Sequence, residues 1–173
     1  MKLKIRKNGD PVLRVKTAKI KDPLAKEVQE LILNMLDTMK ANNGVGLAAT
    51  QIGSNLRLCV IQTDDEQHIL INPQITSKSK TKVISEEGCL SFPGQFFPIS
   101  RYKEVQVRFL DQNGKPRKLK GRDLLSRAIQ HELDHLDGVL IIDRIKKPRL
   151  TAGKTKTEKI KNSTIHIQTE LIQ

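Results

Sequence analysis

The sequence predicts an α+β fold, with small antiparallel or mixed sheets packed around a central helix and a second helix near the N-terminus. Three observations carry this. Apolar residues recur at helical spacing from Leu24 to Met39 and again from Leu124 to Leu136, and short runs between them alternate apolar with polar. The later helical stretch contains His131-Glu132-Leu133-Asp134-His135. A length of 173 residues suits one domain, which at this size buries roughly 70% of its unfolded surface without disulfide staples.

The elements follow in order. Asp10-Pro11-Val12-Leu13 begins an early turn. Asp22-Pro23 predicts a helix start, with Asp22 as N-cap and Pro23 at the first helical position. Leu24, Val28, Leu31, Ile32, Met35, Leu36 and Met39 then recur through Lys40, and Asn42-Asn43-Gly44 ends the helix. Residues 56–62 and 68–72 read as strands around a polar turn. Val105, Val107 and Phe109 alternate with polar residues, and Asn113-Gly114 turns the chain into 117–120 as a second hairpin. Leu124, Leu125, Ala128, Ile129 and Leu136 form the second amphipathic helix. Pro148 closes the compact part, so residues 1–147 are expected to be one domain. Residues 148–173 read as a basic, flexible tail, with Ile165, Ile167 and Leu171 alternating as an extended segment.

Composition narrows the setting. Thirty-one Lys and Arg against nineteen Asp and Glu give a net charge of +12. That balance favours a polyanionic partner, and docking at a ribosome through the tail is one expectation, with a solvated basic surface as the plain alternative. One Tyr, four Phe and no Trp leave little to stack on bases, and no specific DNA binding is expected. Cys59 and Cys89 make no disulfide framework. No apolar run follows the charged N-terminus, and no stretch is long enough to span a membrane. A cytoplasmic, bacterial-type compartment is expected, and a mature organellar protein would look the same.

The pattern HExxH at 131–135 carries the chemistry. Each helical residue advances ~100° and ~1.5 Å, so His131 and His135 can aim both rings at one ion while Glu132 flanks it. Catalytic sites of this type take three protein ligands and leave one position for water. A metzincin would place a histidine six residues after His135, where Ile141 stands. Glu158, the choice of a zinc peptidase, lies in a lysine-rich stretch. Cys89 remains, beside Gly88, whereas Cys59 in its apolar run reads as a small buried hydrophobe. Arg127, one turn before His131, is either a pocket-rim residue or an ordinary solvated arginine.

Three segments together resemble the peptide deformylases. Gly44-Val45-Gly46-Leu47-Ala48-Ala49-Thr50-Gln51-Ile52-Gly53 looks like the family's first motif, EGCLS at 87–91 the second and HELDH at 131–135 the third. The likeness covers residues 1–147, and the second motif, running into Phe92-Pro93-Gly94, is similar to the bacterial type 1 and organellar branch. Thr50 stands where many members have proline, and Phe96 and Phe97 are unusually aromatic.

The resemblance implies a metallohydrolase that removes the formyl group from the N-terminal formyl-methionine of nascent polypeptides. It implies a deformylase-like fold and Cys89, His131 and His135 as metal ligands, with metal-bound water as nucleophile. Glu132 would serve as general base and acid, and the Gln51 amide and Leu90 N–H would stabilise the oxyanion. Gly44, Val45, Gly46 and Gly88 would bind the peptide as an added strand, with Arg127 at the rim. Fe(II) is the expected cofactor in the cell, with Zn(II), Ni(II) or Co(II) in purified protein.

Overall fold

Leu58, Cys59, Val60 and Ile61 are buried without interruption, and this run explains the middle of the molecule. Alternate residues of a strand face opposite sides, so a strand buried throughout must be covered on both. The computed structural model describes residues 1–63 and 66–145, and shows this arrangement. Strands β1 (Gly46–Ala48), β2 (Leu58–Thr63), β3 (Glu66–Lys78), β6 (Glu104–Leu110) and β7 (Pro116–Arg122) form an antiparallel sheet in the order β1-β2-β3-β6-β7. Helix α1 (Lys26–Ala41) packs Val28, Ile32, Met35 and Met39 against Leu47, Leu58, Val60 and Ile71 on one face. Helix α2 (Asp123–Leu136) packs Ala128, Ile129, Leu133 and Leu136 against Ala48, Cys59, Ile61 and Leu70 on the other.

A second sheet is a hairpin of β4 (Lys82–Cys89) and β5 (Phe92–Tyr102). Its inner face joins Phe92 and Ile99 to Leu13, Leu140 and Ile141, from short 3-10 turns near each end of the described chain. The α+β expectation therefore holds, as does the placement of the HExxH motif on a helix. Among the described residues, no helix is long and apolar enough to cross a membrane.

Three details differ from the sequence expectations. Helix α1 begins at Lys26 rather than Pro23, because the Asp22 side chain accepts from Leu24 N at 2.9 Å and closes a separate turn; Ala25 at the N-cap offers no side-chain acceptor. Leu24 is consequently 62% exposed. The strand expected over 68–72 runs from Glu66 to Lys78, past two register shifts around Gln74 and Ser77. The β4–β5 hairpin was not anticipated as strand at all. The tail over 148–173, its extended segment and Glu158 lie outside the described residues.

Candidate metal centre

Helix α2 sets the geometry of the site through its turn spacing. The rings of His131 and His135 stand 5.0 Å apart by centroid. Cys89 ends β4, and its connection into β5 brings the thiol over the helix. Ligand atoms of Cys89, His131 and His135 lie within 4.8 Å of one another, and Cys89 Sγ is 3.2 Å from His135 Nε2. Bonds of ~2.0–2.3 Å meeting near a tetrahedral angle would separate donors by roughly 3.5 Å, so this set fits a single ion.

The electrostatics fit as well. His131 Nδ1 meets Glu87 Oε2 at 3.0 Å, which occupies that nitrogen and leaves Nε2 for a ligand bond. Burial disfavours a charged His131, yet its hydrogen bonds with Cys89 and Glu87 carry its pKa up to about 10. Surroundings that hold a proton this firmly favour positive charge, and a metal cation satisfies the same preference by displacing the proton. His135 is the opposite case. Burial, helped by the positive charge of His131 and Arg101, pushes its pKa well below the usual range and keeps the imidazole neutral. Burial pushes Glu87 up, but hydrogen bonds from His131 and Arg101 prevail and hold its pKa at about 2.

Glu132 is buried beside this triad, and desolvation, tempered by the positive His131, raises its pKa to about 7. A carboxyl poised near neutrality suits proton transfer in both directions. Its Oε2 has no hydrogen-bond partner among the described residues. Gly46 makes room for it, since a Cβ there would lie 2.3 Å from Glu132 Oε1. Gln51 is fixed at both ends of its amide. Oε1 accepts from Ala48 N at 2.9 Å, while Nε2 reaches Ser91 Oγ at 3.2 Å and Cys89 Sγ at 3.6 Å. Thr50, fully buried, donates its hydroxyl to the His135 carbonyl at 3.4 Å.

All the expected site residues except the buried His135 line one cleft of about 550 Å³. The glycines there are crowded by the chain's own side chains. A Cβ on Gly44 would meet Leu90 at 2.8 Å, and one on Gly88 would meet the Phe96 ring at 2.9 Å. Arg127 is no solvated arginine. Its guanidinium donates to Glu87 Oε1 at 2.6 Å and to the carbonyls of Ile99 and Val83 at 3.0 and 2.9 Å, pinning the hairpin to α2.

Sequence reasoning missed the support around His131. Arg101 donates from Nε and Nη2 to both Glu87 oxygens at 2.9 and 3.0 Å, and from Nη1 to Asp134, which also takes Arg144. Glu87 had a signal, because it stands two residues before Cys89 and so shares its face of the strand. Lys7 was missed too; it lines the cleft and donates to the Leu90 carbonyl at 2.8 Å.

Known proteins match this chain in sequence and fold. A family model described as polypeptide deformylase matches residues 2–151. A peptide deformylase of Thermodesulfovibrio yellowstonii is 44% identical over 164 residues, covering 91% of this chain and 98% of its own. One from Dictyoglomus thermophilum is 44% identical over 140 residues, covering 81% and 90%. Among solved structures, the Thermotoga maritima peptide deformylase aligns with a TM-score of 0.82 and 37% identity over 85% of this chain and 99% of that one. The Synechococcus elongatus enzyme in complex with actinonin gives 0.81 and 40%, covering 86% and 80%. Sequence and fold agree across most of the chain, which belongs to the polypeptide deformylase family.

Proposed function

We propose that this enzyme hydrolyses the N-formyl group from the formyl-methionine of newly made polypeptides and releases formate. The observation that carries the reading is the Cys89, His131 and His135 donor set with the buried Glu132 beside it, opening on a cleft between strand edges. Cys89 Sγ and the two imidazoles would hold a divalent ion, which would supply Lewis acidity toward water and the formyl oxygen. A Cys89 thiolate would offset part of the ion's charge and weaken that acidity, which makes a protein base more necessary.

Glu132 fills that role. Its carboxylate takes the water proton and later delivers a proton to the departing amine. The Gln51 Nε2 and the Leu90 N–H donate to the oxygen that becomes negative when the formyl carbon is attacked. The peptide enters as an extended strand. Strand β1 is the edge of its sheet and β4 belongs to a two-stranded one, so Gly46 on one side and Gly88 on the other offer main chain for pairing, while the Val45 carbonyl is turned inward and accepts from Gln62 N at 2.8 Å. Such pairing reads backbone, which suits an enzyme acting on many nascent sequences. Arg127 walls the cleft with its stem while its guanidinium is engaged.

Ferrous iron is the metal this reading favours in the cell, with zinc, nickel or cobalt replacing it in purified protein. A cysteine-ligated iron site loses a ligand when the thiolate oxidises, so activity should decay in air. The basic residues 148–173 dock the enzyme at the ribosome. Salt-dependent co-sedimentation unchanged by deleting them would refute that part. The catalytic reading is tested by incubating the protein anaerobically with a formyl-methionyl tripeptide and Fe(II) or Ni(II). Formate is the expected product, and its absence from folded, metal-loaded protein would overturn the proposal.

A further inference from the structure

Phe96 and Phe97 are neighbours in sequence with opposite surroundings. Phe97 turns inward and meets Phe92 edge to face, with ring centroids 6.4 Å apart. Phe96 turns outward and is 66% exposed at the mouth of the active-site cleft. It pairs across the hairpin with Gly88, and opposite residues of an antiparallel pair share one face. Because Gly88 has no side chain, the ring lies directly over its backbone, where a Cβ would meet it at 2.9 Å. An apolar ring is thus held, largely in water, beside the strand end that carries Cys89.

We propose that Phe96 is a specificity-determining residue that favours substrates with an aromatic or large apolar residue directly after formyl-methionine. This rests on the deformylase reading and names the part of the peptide the mouth selects. In an extended peptide successive side chains point to opposite sides. With the methionine side chain lodged in the cleft along Leu124, Ala128 and the Arg127 stem, the next side chain faces outward, onto the Phe96 ring. A ring left in water regains its burial when an apolar group covers it. Polar or absent side chains at that position gain nothing there.

The test compares kcat/KM for formyl-Met-Phe-Ser and formyl-Met-Gly-Ser with the metal-loaded enzyme and its Phe96→Ala and Phe96→Tyr variants. One aromatic contact corresponds to a ratio of about three- to tenfold. The parent enzyme should favour the phenylalanine peptide by that factor. Phe96→Tyr should keep the ratio, and Phe96→Ala should bring it close to one. A ratio unmoved in Phe96→Ala would overturn the proposal while leaving deformylation intact. Absence of formate from every peptide would overturn both.

Discussion

The two sheets of this molecule are held by different forces. The five-stranded sheet is gripped between two helices by apolar side chains, and its β2 strand is buried on both faces. The β4–β5 hairpin has an apolar patch at one end, but where it meets α2 it is held by charge. There Glu87 takes Arg101, Arg127 and His131, and Arg101 reaches on to Asp134. The first sheet supplies rigidity, while the hairpin supplies Cys89 and the carboxylate that orients His131. The candidate metal centre sits at the junction held by polar contacts, because a core of methyl groups cannot orient an imidazole or stabilise a cation.

The largest effect should come from breaking that junction. Arg101→Ala removes three charge-assisted hydrogen bonds at once, two to the buried Glu87 and one to Asp134, leaving Glu87 with Arg127 and His131, and should cost about 3–5 kcal/mol in denaturant unfolding, with loss of bound metal. Ile71→Ala makes the contrasting cut. It empties a site against α1, away from the ligands, and should cost about 2–5 kcal/mol while the folded fraction keeps its metal and its kcat/KM. Equal metal loss in both variants would erase the distinction between the sheets. Glu87→Gln is gentler, removing the charge while leaving a hydrogen-bond acceptor. Metal affinity by competition with a chelator should fall roughly 10–100-fold with the fold retained.

The same contrast governs what could be read from the sequence. Strands β2, β3 and β6 announce themselves because burial demands apolar runs or alternation. Strand β4 gives no such sign. Lys82 to Glu86 are all exposed, and pairing with β5 alone makes the segment a strand. Asp22-Pro23 misled for a chemical reason, since an aspartate capping a turn and one capping a helix use the same hydrogen bond. In the site, His131, Glu132, His135, Cys89 and Gln51 stood in compact motifs. Arg101 and Asp134 lie 33 residues apart, and only the fold brings them together. Phe96 was visible as an oddity, but its outward direction comes from register with Gly88.

The most direct test is formate release from a formyl-methionyl tripeptide by Glu132→Ala, with bound metal quantified in the same anaerobic sample. Metal content should equal that of the parent enzyme, because Glu132 stands outside the Cys89, His131 and His135 donor set, and turnover should fall by about 10²–10⁴-fold. Parent-like turnover in the metal-loaded variant would contradict the role of Glu132 in proton transfer.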